Sequence, residues 1–157
     1  MATMRRVPGP AGGAFTKALA DLDKTNVKVG WFSTSKYNDK NQTPVAYVAA
    51  INELGPNARP FMGPAADANE AAWADHMLKA SRQIVKGNIT VAQGLEGLGL
   101  VVAADIRKAI DDVNSPPLAD RTIAARKARG NDSVKPLQDL GYMIATVTSL
   151  VEEGNTE

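Results

Sequence analysis

The sequence predicts an α+β protein: a small antiparallel β-sheet packed by helices, with a central helical hairpin. Three observations predict it. Val27, Val29 and Trp31 alternate with Lys28, Gly30 and Phe32, and this β-branched and aromatic run suits a strand with one buried face. A second β-branched run, over residues 142–151, lies near the far end of the chain and is expected to pair with the first. Between them, two long apolar stripes at helical spacing are separated by a short link that opens on Gly87 and Asn88.

Taken in order, residues 1–13 carry Arg5 and Arg6, then Pro8, Gly9, Pro10, Gly12 and Gly13 where a signal peptide would have its apolar core. They are expected to form a flexible N-terminal arm, either without structure or ordering on a neighbouring subunit. Over residues 14–23, Phe15, Ala18, Leu19 and Leu22 recur at helical spacing, which predicts a short amphipathic helix broken by Asn26. The first strand follows. Residues 33–42 are polar apart from Tyr37 and read as a loop or hairpin tip, with Lys36 and Tyr37 as candidates for partner contact.

Residues 43–64 form a unit with its own start, stop and exit. Thr43 is expected to cap a helix whose first position is Pro44, where a missing N–H costs nothing. Its apolar face comprises Val45, Val48, Ala49, Ile51 and Leu54; Gly55 is expected to end it in the left-handed conformation, and Pro56 forbids continuation. Arg59, Phe61 and Met62 then sit in a segment stiffened by Pro60 and Pro64. Such a loop either presents its side chains to a partner or pins itself to its own core, and the residues leave both open.

A longer helix is predicted over residues 65–86. Trp73, Met77, Ala80 and Ile84 form its apolar stripe, acids precede bases in the sense that the helix dipole favours, and Gly87 closes it. Thr90 and Gln93 fit a capping box that opens a second helix running to about Val113. Its seam is Val91, Leu95, Leu98, Val102, Ile106 and Ile110. Gly94, Gly97 and Gly99 inside it cost about 1 kcal/mol each relative to Ala, so close packing of the two helices as an antiparallel hairpin is expected. Beyond Pro116 and Pro117, residues 120–128 suit a short helix, residues 130–135 a mobile loop, residues 142–151 the second strand, and residues 152–157 a polar tail.

The chain has 157 residues, enough for one domain, placed at residues 14–151. With 44% apolar and 22% charged residues it is globular in composition, and a formal charge of +1 gives no global attraction to nucleic acid or acidic membranes. Zero cysteines exclude disulfides and thiolate chemistry. No apolar run approaches the roughly 20 residues of a membrane span, so a soluble, unexported protein is expected. His76, the one histidine, lacks companions at metal-ligand spacing and reads as an exposed helix residue. No phosphate-binding loop or nucleophile elbow is present, Asp111-Asp112 and Glu152-Glu153 read as solvated, and neither catalysis nor a cofactor or metal is expected. The best local candidate for phosphate contact is the basic set Arg121, Arg126, Lys127, Arg129 and Lys135, whose alternative reading is a solvated face or ion pairs with a neighbouring subunit.

Several blocks resemble a known family. Residues 27–32 (VKVGWF), the loop with Lys36-Tyr37, residues 45–55 (VAYVAAINELG) and Arg59-Pro60-Phe61-Met62 are similar to the front half of the virion-morphogenesis proteins of tailed phages. Ser115-Pro116-Pro117-Leu118, Thr122-Ile123-Ala124 with Arg126-Lys127, and Lys135-Pro136-Leu137-Gln138-Asp139-Leu140-Gly141 resemble its back half, in the same order. Leu140 departs from the pattern, standing where the family usually has a threonine. The resemblance implies a neck or tail-completion protein, made in the host cytoplasm and retained in the virion at the head–tail junction. It implies self-association into a ring, matching a sixfold tail tube, with the tail-tube protein and head-side connector or neck proteins as partners. Lys36, Tyr37, Arg59, Phe61 and Met62 are then the interface candidates, and Arg121, Arg126, Lys127, Arg129 and Lys135 would face either a neighbour or DNA in the channel. The competing expectation is a DNA-binding or packaging accessory factor that uses the same five bases.

Overall fold

A hairpin of two long helices carries a two-stranded antiparallel sheet on one side, and this α+β arrangement positions everything else. The computed structural model describes residues 10–153. Along the chain run α1 (Pro10–Lys24), β1 (Thr25–Gly30), α2 (Val45–Leu54), α3 (Met62–Val85), α4 (Val91–Asp112), α5 (Asp120–Lys127), α6 (Tyr142–Ala145) and β2 (Thr148–Glu153). Among the described residues, no helix is long and apolar enough to cross a membrane.

The hairpin forms as the sequence predicts. Thr90 accepts the Gln93 N–H while Gln93 accepts the Thr90 N–H, so the capping box starts α4. Gly87 ends α3 with φ of 75°, a left-handed turn that a side chain would strain. Ala80 and Ile84 face Gly94, whose absent Cβ would lie 3.0 Å from Ile84 Cδ1. The Trp73 indole donates to Asp105 at 2.7 Å and links the helices further along. Gly99 has another partner: a Cβ there would meet Ser149 Cβ at 2.6 Å and Val27 Cγ2 at 2.9 Å, so its missing side chain lets the sheet lie against α4.

The strands pair with Val27 opposite Val151 and Lys28 opposite Leu150. Apolar residues bury in two clusters. One gathers Val45, Ala49, Phe61, Ala103, Ile106, Ile110, Met143 and Val147; the other gathers Ala18, Ile84, Val91 and Leu95 against α1.

Several boundaries differ from expectation. Residues 10–13, assigned to the N-terminal arm, begin α1, with Pro10 at a first position that needs no N–H; the rest of the arm, 1–9, lies outside the described residues. The N-cap of α2 is Pro44 and not Thr43, whose hydroxyl and N–H both bind the Asp39 carboxylate. Gly55 is extended, with φ of −75° and ψ of 175°, so the stop comes from Pro56 and not from a left-handed glycine. In the α2 face, Val45 and Ala49 are buried, whereas Ile51 and Leu54 point to solvent.

Helix α3 starts three residues early, at Met62, because the Glu53 carboxylate caps it from another helix. The run 142–151 splits. Gly141, left-handed at φ of 67°, opens the single turn α6, which buries Met143, and Val147 follows in the same core, leaving the strand to begin at Thr148. Glu152 and Glu153, assigned to the tail, belong to β2, where Glu152 pairs with Lys28; residues 154–157 lie outside the described set.

Candidate functional site

Six of the sequence blocks singled out above, several of them far apart in the chain, meet at one cleft of about 330 Å³. Its wall includes Tyr37 from the polar loop, Val48 and Asn52 from α2, Arg59, Leu118, Arg126 from α5, and the run Leu137, Asp139 to Met143. A wider groove of about 420 Å³ lies between the start of α3 and the end of α4, but apart from Phe61 none of the candidate residues lines it.

The loop that carries Tyr37 is tied back on itself. Tyr37 N–H donates to Thr43 O at 2.8 Å, Val45 N–H donates to Ser35 O at 3.0 Å, and Lys36 bridges to Pro44. The Tyr37 ring leans on Tyr142 with centroids 5.4 Å apart. Burial, then the nearby charges of Asp139 and Tyr142, push the Tyr37 phenol above its ordinary value, so it stays a neutral donor. Lys36 is exposed and outside the cleft.

Arg59 crosses the cleft's edge to the proline pair: its Nε donates to Pro116 O at 2.9 Å and Nη2 to Pro117 O at 3.1 Å. Both acceptors are neutral, and among the described residues Arg59 has no carboxylate partner. Its guanidinium therefore makes no ion pair at the cleft.

Arg126 is a correction to the phosphate-contact expectation. It is 6% exposed, and its Nη1 donates to Ser133 O at 3.1 Å, Lys135 O at 2.8 Å and Gln138 O at 3.3 Å, while Nε lies 3.4 Å from Asp139. A planar guanidinium can serve several carbonyls of one loop at once. It thereby folds the segment expected to be a mobile loop.

Arg129 is also engaged, with Nη2 3.0 Å from Asp139, and Lys135 holds Asp111 at 2.8 Å. Burial raises the Asp139 pKa, but hydrogen bonds from Arg129 and Asn131 and the charges of Arg129 and Arg126 outweigh it and hold the carboxyl below its ordinary value. Of the five bases, Arg121 and Lys127 make no ion pair among the described residues and stay exposed. Their segment is an internally satisfied clasp with two open cations.

Phe61 is fully buried, edge-on to Trp31 at 5.8 Å and 90°, and Met62 packs half-buried against the same cluster. Of the two roles open to Phe61, the folded chain uses it as core; it offers no exposed ring to a partner. The structure thus brings Tyr37, Arg59 and Arg126 together, turns Phe61 and Met62 inward, and leaves Lys36, Arg121, Lys127, Arg129 and Lys135 outside the cleft.

Glu53, Asn52, Leu140 and Tyr142 were not among the predicted residues. Leu140 is 77% exposed on the rim, and Leu137 holds a φ of 59°, a strained value for a branched side chain. The sequence signal was the Asp139-Leu140-Gly141 turn, whose glycine is left-handed. His76 is half-buried on α3, and among the described residues no cluster of His, Asp and Glu could hold a metal.

Fold and cleft together define an α+β protein with a basic, aromatic-walled surface cleft flanked by exposed apolar side chains. Comparison with protein-family models, with curated proteins and with solved structures gives no match.

Proposed function

We propose that this chain is a structural, non-catalytic virion protein of a tailed phage: a tail-completion, tail-terminator or neck component that forms a homo-oligomeric ring at the head–tail junction. One observation carries the proposal. The segments that resemble the virion-morphogenesis family, Arg59 with its loop, Pro116 to Leu118, Arg126, and Leu137 to Gly141, converge on a single cleft although they are scattered along the sequence. A guanidinium without an ion pair, beside tyrosines and the exposed Leu140, has the composition of an interface centre.

In this proposal the cleft and its rim contact the next subunit, and the ring sits between the tail-tube protein and the head-side connector or neck proteins. The solution mass of the purified chain, alone and with the tail-tube protein, tests it, together with a search for the chain in purified virions. A ring retained in the particle supports the proposal. A monomer in both conditions that is absent from virions sinks it.

The second reading, a DNA-binding or packaging accessory, draws on Arg121 and Lys127, the two bases of the segment left open. Binding to duplex DNA that weakens steeply with salt would support it. No binding at low salt would remove it.

A further inference from the structure

We infer that copies of this chain join head to tail through their sheet edges, the β1 edge of one copy pairing with the β2 edge of the next. This rests on the self-association proposed above and adds to the cleft contact a second surface, the sheet edges.

Among the described residues the sheet has two strands, so each of them is an edge. Among the described residues, no backbone hydrogen bond beyond the β1–β2 pairing reaches either strand. Unpaired N–H and C=O groups along six-residue strands are a template for another strand. Neither strand contains proline. Helices α1 and α4 pack on the face that holds Val27 and Val151, so the other face, with Asn26, Lys28, Leu150 and Glu152, stays open as the sheet extends.

Charge selects the partner. β1 carries one cation, Lys28, and β2 carries two acids, Glu152 and Glu153. A twofold β1–β1 contact sets Lys28 against Lys28, and a β2–β2 contact gathers four carboxylates; like charges across strands are unfavourable. Only β1 against β2 of another copy brings opposite charges together, repeating the Lys28–Glu152 pair already present within one chain. Because β1 and β2 are antiparallel, that contact continues the same antiparallel sheet. It uses two different surfaces of each copy, so it is heterologous and closes into a ring when the rotation per copy allows.

The test uses the full chain and two charge variants, Lys28→Glu and the double variant Glu152→Lys with Glu153→Lys, measured by solution mass across a range of concentration. The first has acidic edges on both strands and the second basic edges on both. Each alone is expected to self-associate more weakly than the parent by on the order of tenfold, and an equimolar mixture is expected to recover association. Melting curves of the variants check that each remains folded, as expected for exchanges at an exposed ion pair. If the parent assembles and both folded variants assemble equally well alone, the edge contact is overturned while the ring proposal stands. If the parent is monomeric at every concentration and on the tail tube, the edge contact falls, and the ring proposal falls with it when the chain is also absent from virions. Should either variant fail to fold, Leu150→Lys replaces it: placed on the open face between the paired edges, it must weaken association by a similar factor, and unchanged association overturns the edge contact.

Discussion

The Glu53 carboxylate, on α2, caps the first turn of α3: Oε2 accepts the Phe61 N–H at 2.8 Å, and the same group takes the N–H of Met62 at 3.0 Å and of Gly63 at 2.9 Å. Phe61 occupies the N-cap position but has no side-chain acceptor, so a residue eight positions earlier supplies what a local Ser or Asp usually does. The contact fixes the angle between α2 and α3. It also holds Phe61 over Trp31.

Replacing Glu53 by Ala is expected to cost about 1 to 2 kcal/mol, read by urea denaturation at neutral pH. Burial raises the Glu53 pKa, and the three N–H groups outweigh it, so the folded value lies below the ordinary 4.5. A depressed folded pKa means the stabilisation is complete above 4.5 and fades as pH falls through the lower folded value. The gap between parent and Glu53→Ala should therefore narrow on acidification; a gap independent of pH would show that the charge plays no part.

Phe61→Ala is expected to lose about 3 to 5 kcal/mol, because the ring is fully buried and its removal leaves a cavity beside Trp31. Equilibrium denaturation measures this directly. Normal stability with lost self-association would instead assign Phe61 to an interface.

Arg126→Ala leaves the carbonyls of Ser133, Lys135 and Gln138 without their donor and is expected to cost about 2 to 3 kcal/mol. Arg126→Lys should recover little, since an ammonium cannot reproduce the planar fork. Limited proteolysis should cut between residues 130 and 141 in both variants and spare the parent. Equal resistance in all three would show that the clasp is held by other contacts.

The glycines of α4 separate propensity from packing. Gly97→Ala meets only His76 Nε2, at 3.4 Å, and is expected to be neutral or to stabilise by up to about 1 kcal/mol. Gly99→Ala meets Ser149 and Val27 below 3.0 Å and is expected to destabilise by about 1 to 3 kcal/mol. Thermal melts of the two variants should move in opposite directions or, at the least, differ by that margin.

Local chemistry made much of the fold legible. The Thr90–Gln93 capping box, the Gly87 stop, the stripe through Ala80 and Ile84, the seam through Leu95 and Ile106, and the strand character of the run around Val27 all follow from short-range rules that act within a few residues. Helix and strand periods are local properties, and no tertiary contact was needed to see them.

Where two local preferences competed, long-range packing settled the outcome. Residues 142–147 are β-branched enough for a strand, yet burial of Met143 and Val147 against α4 and the Trp31 bond to the Met143 carbonyl at 2.8 Å turn them inward as a helical turn. Thr43 suited an N-cap until Asp39 took its hydroxyl, and the cap of α3 came from Glu53 on another helix. The cleft was legible only as separate residues, because the bonds that close it, Arg59 to Pro116 and Arg126 to Lys135, join carbonyls, and every residue type has one. Residue patterns alone set the long helices, two strand-forming runs and the supply of cations. Which cations are spent inside the fold and which remain at its surface was settled by the geometry of the folded chain, since a guanidinium goes to the acceptors that packing places within its reach.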